Sequence, residues 1–117
     1  FCSGKIYHDL VAERTKLGET GTAIVRVELL YPLPIDEMVA EANKHPNANL
    51  LWVQDEPANQ GPWSYIAMRT SEAHGGHGFG SRTLRRISRR ATASPATGNH
   101  HLHEEEAKAL IYEAFTR

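Results

Sequence analysis

The chain has 117 residues, 40% of them hydrophobic, which is enough for one core and too little for two domains. A formal net charge of -1 supplies no overall attraction for nucleic acid or an anionic membrane, so either partner would require a local basic patch. A lone cysteine, Cys2, cannot close an internal disulfide, and no apolar run approaches the roughly 20 residues that span a bilayer; a soluble, reducing, cytoplasmic setting is expected.

The opening FCSG reads as the end of a strand whose earlier residues lie upstream, so residues 1–117 are expected to form one domain of a longer polypeptide. From Gly4 to Gly18, Ile6, Leu10, Val11 and Leu17 share one face of a surface helix, with Gly18 as its stop. AIVRVELL (23–30) is rich in β-branched residues, and its nearly continuous apolar character predicts a strand buried on both faces, as in parallel sheets. YPLP turns the chain. Pro34 then precedes Ile35, Met38, Val39 and Ala42 at helical spacing, with Asp36 and Glu37 where a helix N-terminus favours negative charge. HPNAN stops that helix, and LLWVQ (50–54) is a second short strand. SYIAMRTSEA (64–73) predicts a short helix, HGGHGFGS (74–81) an irregular mobile connection, and RTLRRISRR (82–90) an edge strand. ATASPATGN (91–99) reads as a loop, and Ala107, Leu110, Ile111, Ala114 and Phe115 mark a terminal helix. The alternation predicts an α/β fold, a mainly parallel sheet flanked by helices, with ligand or interface loops at the carboxyl ends of the strands.

WVQDEPANQGPW (52–63) sits at such an end. Its two tryptophans, with Gln54, Asn59 and Gln60, combine amphipathic anchors with amide donors, a mixture enriched in protein interfaces; a self-contained Ω-like loop has the same composition. Asp55 and Glu56 are adjacent, so in a strand they point apart and make a poor acid–base pair. Neither GKIYHDL nor HGGHGFGS has the lysine and hydroxyl of a phosphate-binding loop or the pattern of a dinucleotide site. His74, His77, His100, His101, His103 and Glu104 lack a third fixed ligand at readable spacing, so no metal site is assigned. Cys2 and His8 have no orienting third group, which makes a buried cysteine the default. Arg82, Arg85, Arg86, Arg89 and Arg90 form the one basic cluster. Guanidinium forks suit phosphates, so Arg85, Arg86 and Arg89 are the anion-binding candidates, but a strand divides them between two faces and no aromatics interleave. A solvated face, or ion pairs with the acids of another domain, suits them better than nucleic acid.

Four stretches together, CSGKIYHDL (2–10), AIVRVELLYPLP (23–34), WVQDEPANQGPW (52–63) and RRISRRATASPATGNHHLHEEE (85–106), resemble the C-terminal domain of the thiamine-dependent 2-oxoglutarate dehydrogenase component, including the actinobacterial multifunctional enzymes. The resemblance implies a transketolase-type C-terminal domain at the end of a large homodimer. Such an enzyme decarboxylates 2-oxoglutarate on thiamine diphosphate, with magnesium holding the diphosphate, and passes succinyl to a lipoyl-bearing succinyltransferase. Thiamine diphosphate would be bound by preceding domains, so no catalytic residue is expected here. Gln54, Glu56, Asn59, Gln60 and Trp63 would serve contacts between domains or subunits. One departure stands out: where actinobacterial relatives carry a glutamine and then a basic run for an acetyl-CoA activator, this chain has Leu29 followed by Asp36 and Glu37. Acids there would repel a phosphorylated ligand, so that activation is not expected. The competing expectation is a free-standing module that binds a phosphorylated small molecule through its arginines.

Overall fold

The computed structural model describes residues 1–72, 78–91 and 100–116. Among the described residues, four helices and two strands follow in the order α1 (Ile6–Leu17), α2 (Ile35–Asn43), β1 (Leu51–Pro57), α3 (Trp63–Glu72), β2 (Arg85–Arg89) and α4 (His100–Thr116). The α/β expectation holds, on a small parallel sheet. β1 pairs with β2 in parallel, with Leu51 opposite Arg85 and Val53 opposite Ile87. Two further bridges extend the sheet: Cys2 lies between Arg26 on one side and Val53 on the other, parallel to both. Phe1 and Cys2 therefore lie, with β1, inside a four-part parallel array edged by the Arg26 segment and β2.

Side-chain alternation along β1 divides the core. Trp52 joins Val27, Leu33, Met38, Ala42 and Ile66 on the face covered by α2 and α3. Val53 joins Cys2, Ile6, Leu10, Ile87 and Leu110 on the face covered by α1 and α4. The result is a three-layer stack in which consecutive strand residues serve opposite cores.

Local signals explain most of the boundaries. Gly18 adopts φ 64° and its N–H meets the carbonyls of Arg14 and Thr15, closing α1 where glycine alone is unstrained. Pro34 caps α2, whose first turn carries Asp36 and Glu37, and Met38 and Ala42 are its buried residues. α3 begins one residue earlier than predicted, because Pro62 supplies the first acceptor, for the N–H of Ile66 at 2.9 Å.

Two expectations need correction. Residues 23–30 are not a strand buried on both faces: the segment is bridged only at Arg26, Val27 is its one buried residue, and Leu29 is 57% exposed. Composition favours extension, but a ladder needs consecutive hydrogen-bonded partners, and among the described residues the segment is bridged at Arg26 alone. β1, in turn, runs on through Asp55, Glu56 and Pro57, where the strand was expected to stop at Gln54. Four steps along β1 from Val53 to Pro57 match two along β2 from Ile87 to Arg89, so a bulge absorbs the polar residues. Of the connection predicted at 74–81, residues 74–77 lie outside the described residues; Phe79 is buried in the core beside Gly80 at φ 67°, an anchor that glycine content obscured. Of the predicted loop 91–99, residues 92–99 also lie outside the described residues.

Candidate functional site

The carboxyl ends of β1 and β2 are organised around Gln54. Two residues along a strand return to the same face, so Gln54 follows Trp52 into the interior and is only 3% exposed. Its Oε1 accepts the Trp52 indole N–H at 3.0 Å. Its Nε2 donates to the carbonyls of Gln60 at 2.8 Å and Pro57 at 3.0 Å, with that of Glu56 farther away at 3.3 Å. A single side chain thus ties a core tryptophan to both ends of the turn that follows the strand. Gln54 shapes the loop from within and does not offer its amide outward.

Gly61 completes the turn. It adopts φ 64°, and a Cβ there would stand 2.8 Å from the Glu56 carboxyl carbon, so the Glu56 side chain lies over the glycine. Asn59 is exposed, Gln60 and Trp63 are half-buried, and Trp63 packs its inner side on the α2–α3 core. The loop therefore combines a base tied from within, as the self-contained reading expects, with an outer rim of Glu56, Asn59 and Trp63.

The arginines behave differently from one another. Arg89 has a side chain only 8% exposed, with NH2 3.2 Å from Asp55 Oδ1 and Nε 3.6 Å from Glu106 Oε2. Its NH2 also lies 3.3 Å from His103 Nε2 of α4. Its NH2 donates to Asp55, whereas Nε, buried and without a hydrogen-bond partner among the described residues, stands only at ion-pair distance from Glu106 of α4. Arg85 and Arg86 are exposed. The three anion-binding candidates do not converge on one point, and the phosphorylated-ligand module is not favoured. Arg82 has a role that no local pattern signals: its guanidinium donates to the carbonyls of Ala42 at 2.9 Å, His45 at 2.7 Å and Ala48 at 3.1 Å, capping the end of α2.

Of the remaining candidates, Cys2 is fully buried with Sγ 3.8 Å from the Val25 carbonyl, and burial pushes its thiol above the ordinary range despite the opposing pull of the Phe1 amine and Arg26. His8 stands on the exposed side of α1 against Tyr7. His74, His77 and the side chains of His100 and His101 lie outside the described residues.

The strand ends of this parallel sheet thus carry an internally tied loop beside a buried arginine flanked by two carboxylates. Its motifs belong to an enzyme family. The family model described as 2-oxoglutarate dehydrogenase C-terminal matches residues 1–115. The chain is 41% identical over 117 residues to the 2-oxoglutarate dehydrogenase E1 component of Cupriavidus necator, covering 99% of this chain and 12% of that protein. It is 43% identical over 114 residues to the 2-oxoglutarate dehydrogenase E1/E2 component of Corynebacterium glutamicum, covering 97% of this chain and 9% of the relative. With the mitochondrial 2-oxoglutarate dehydrogenase of Caenorhabditis elegans the identity is 39% over 116 residues, 98% of this chain and 11% of that protein. This chain belongs to the 2-oxoglutarate dehydrogenase C-terminal family, and it spans about a tenth of the length of these relatives.

Proposed function

We propose that this chain serves as the C-terminal structural and interface domain of a thiamine-diphosphate-dependent 2-oxoglutarate dehydrogenase, which oxidatively decarboxylates 2-oxoglutarate and passes succinyl to a lipoyl group of a succinyltransferase. The observation that carries this reading is the Gln54 clamp. An amide buried to 3% exposure that donates to the carbonyls of Gln60 and Pro57 and accepts from an indole fixes the shape of the loop. Rigidity there is useful if Glu56, Asn59 and Trp63 must meet another domain or the second subunit in one geometry, because preorganisation lowers the cost of docking.

The donors at the strand ends do not fit magnesium diphosphate. Asp55 and Glu106 stand beside Arg89 and would repel phosphate. The family resemblance implies that thiamine diphosphate and its magnesium are held by preceding domains, which leaves these residues a positional contribution. Alanine at both Asn59 and Trp63 in the full-length enzyme should lower assembly and, through it, 2-oxoglutarate turnover, leaving the circular dichroism of the fold in place. Unchanged dimerisation and turnover would reject the interface role.

A further inference from the structure

β2 pairs with β1 through one side only. In a parallel ladder the N–H and carbonyl of one residue point to the same side, and successive residues alternate. Arg85 N–H donates to the Leu50 carbonyl at 3.0 Å and the Arg89 carbonyl accepts from Ala58 N–H at 2.9 Å, so the odd-numbered residues of β2 face β1. The even-numbered residues, Arg86 and Ser88, turn their N–H and carbonyl groups outward, and among the described residues nothing pairs with those groups. α4 covers the Ile87 face of the strand, and Arg86 at the edge is exposed.

The side chains set the charge of that edge. Arg85 stands on the face of Ile87, Arg86 on the opposite face, that of Leu84, and Arg90 follows just past the strand. All three are exposed, and among the described residues no carboxylate pairs with them. Arg82 and Arg89 stand apart from this strip, because the end of α2 holds the first and Asp55 accepts from the second. On a chain of net charge -1, three such guanidiniums make a local excess of positive charge.

Such an edge discriminates among occupants. A second copy of β2 would set arginines beside arginines, which is how charged edges prevent self-pairing. A segment of the same polypeptide held there permanently would take the guanidiniums out of water at a desolvation cost that an apolar edge avoids. The backbone of a nucleic acid has no N–H to offer the outward carbonyls. An acidic peptide strand satisfies the backbone groups and the charge together, and the edge stays soluble when that strand leaves. We propose that the outer edge of β2 takes an extended, acidic segment of a partner protein as an added strand, with one acid on each face to meet Arg85 and Arg86. Binding there does not depend on the rim of Glu56, Asn59 and Trp63 being an interface.

Fluorescence anisotropy on the full-length polypeptide tests this with a labelled hexapeptide, TVEEVT, whose adjacent acids point to opposite faces of a strand. The expected result is saturable binding that weakens as salt rises, is lost when lysines replace the two acids, and falls about tenfold when Arg85→Ala and Arg86→Ala are combined. Arg85→Glu with Arg86→Glu should reverse the preference and take the lysine peptide. N-methylation of alternate peptide nitrogens separates an added strand from ion pairing alone: one alternate set should abolish binding and the other leave it, because only every second residue faces β2. Equal effects of the two sets, unchanged binding by the arginine variants, or no binding at all would overturn the proposal. Displacement by an equally charged DNA oligonucleotide at the same concentration would assign the strip to phosphate, and self-association lost in the same variants would give the edge to a second copy; either result overturns it too.

Discussion

Replacing Gln54 with leucine removes one side chain of similar length and leaves several buried groups without partners. The Trp52 indole N–H loses its acceptor at 3.0 Å, and the carbonyls of Gln60 and Pro57 lose donors at 2.8 and 3.0 Å. The amide has two hydrogens, so the 3.3 Å contact to the Glu56 carbonyl is a minor share and is left out. Three lost bonds at about 1 kcal/mol each come to about 3 kcal/mol, with the buried indole N–H the costliest because water cannot reach it. The carbonyls at the loop can recover some solvent, so about 2–3 kcal/mol is expected. Chemical unfolding of the full-length enzyme, with exchange at residues 54–60 as a local probe, measures it. The expected pattern is early loss of protection in the loop and a lowered midpoint. Gln54→Glu should fare no better at neutral pH, since a carboxylate accepts from Trp52 but faces three carbonyls it cannot donate to. A change below about 0.5 kcal/mol with loop protection intact would refute the clamp.

Gly61→Ala should destabilise by about 2 kcal/mol, since a left-handed φ penalises Cβ by roughly 1–2 kcal/mol and Glu56 must also move; adding Glu56→Ala should recover the steric part alone, a non-additivity readable by thermal unfolding. Arg82→Ala should cost about 1–2 kcal/mol and speed exchange at the end of α2, because three carbonyls lose a charged donor. The Cys2 thiol, held neutral by burial, contributes stability that is fully present below the ordinary thiol pKa of about 8.5 and is lost as pH rises through the folded value, where the unfolded chain is already ionised. Unfolding midpoints should therefore fall above that pH, and Cys2→Ala should remove that slope.

What the sequence disclosed, and what it withheld, follows from the range of each interaction. α2 was legible because proline, acids and apolar periodicity all act within one or two turns. Gly18 announced the end of α1 for the same reason. The failure at residues 23–30 is different in kind: β-branched composition reports a tolerance for extension, but strand formation depends on a partner elsewhere in the chain, and among the described residues the segment is bridged at Arg26 alone. At the strand ends, Trp52 and Gln54 at two-residue spacing contained the clamp in principle, yet a polar residue was read as facing outward. Arg82 and Arg89 looked equivalent within one basic run. Their partners, the end of α2 and the pair Asp55 and Glu106, come from remote segments that no local pattern connects.

The reading of the strand ends as a docking edge meets its most direct test in chemical accessibility within the assembled enzyme. Cysteine placed at position 59, and as a reference at Tyr112, which is 63% exposed on α4, should be treated with a bulky maleimide and each site quantified by peptide mass spectrometry. Slow labelling at 59 against fast labelling at 112, with the difference abolished when the assembly is dissociated, is the predicted result. Equal labelling at both positions in the intact enzyme would contradict it.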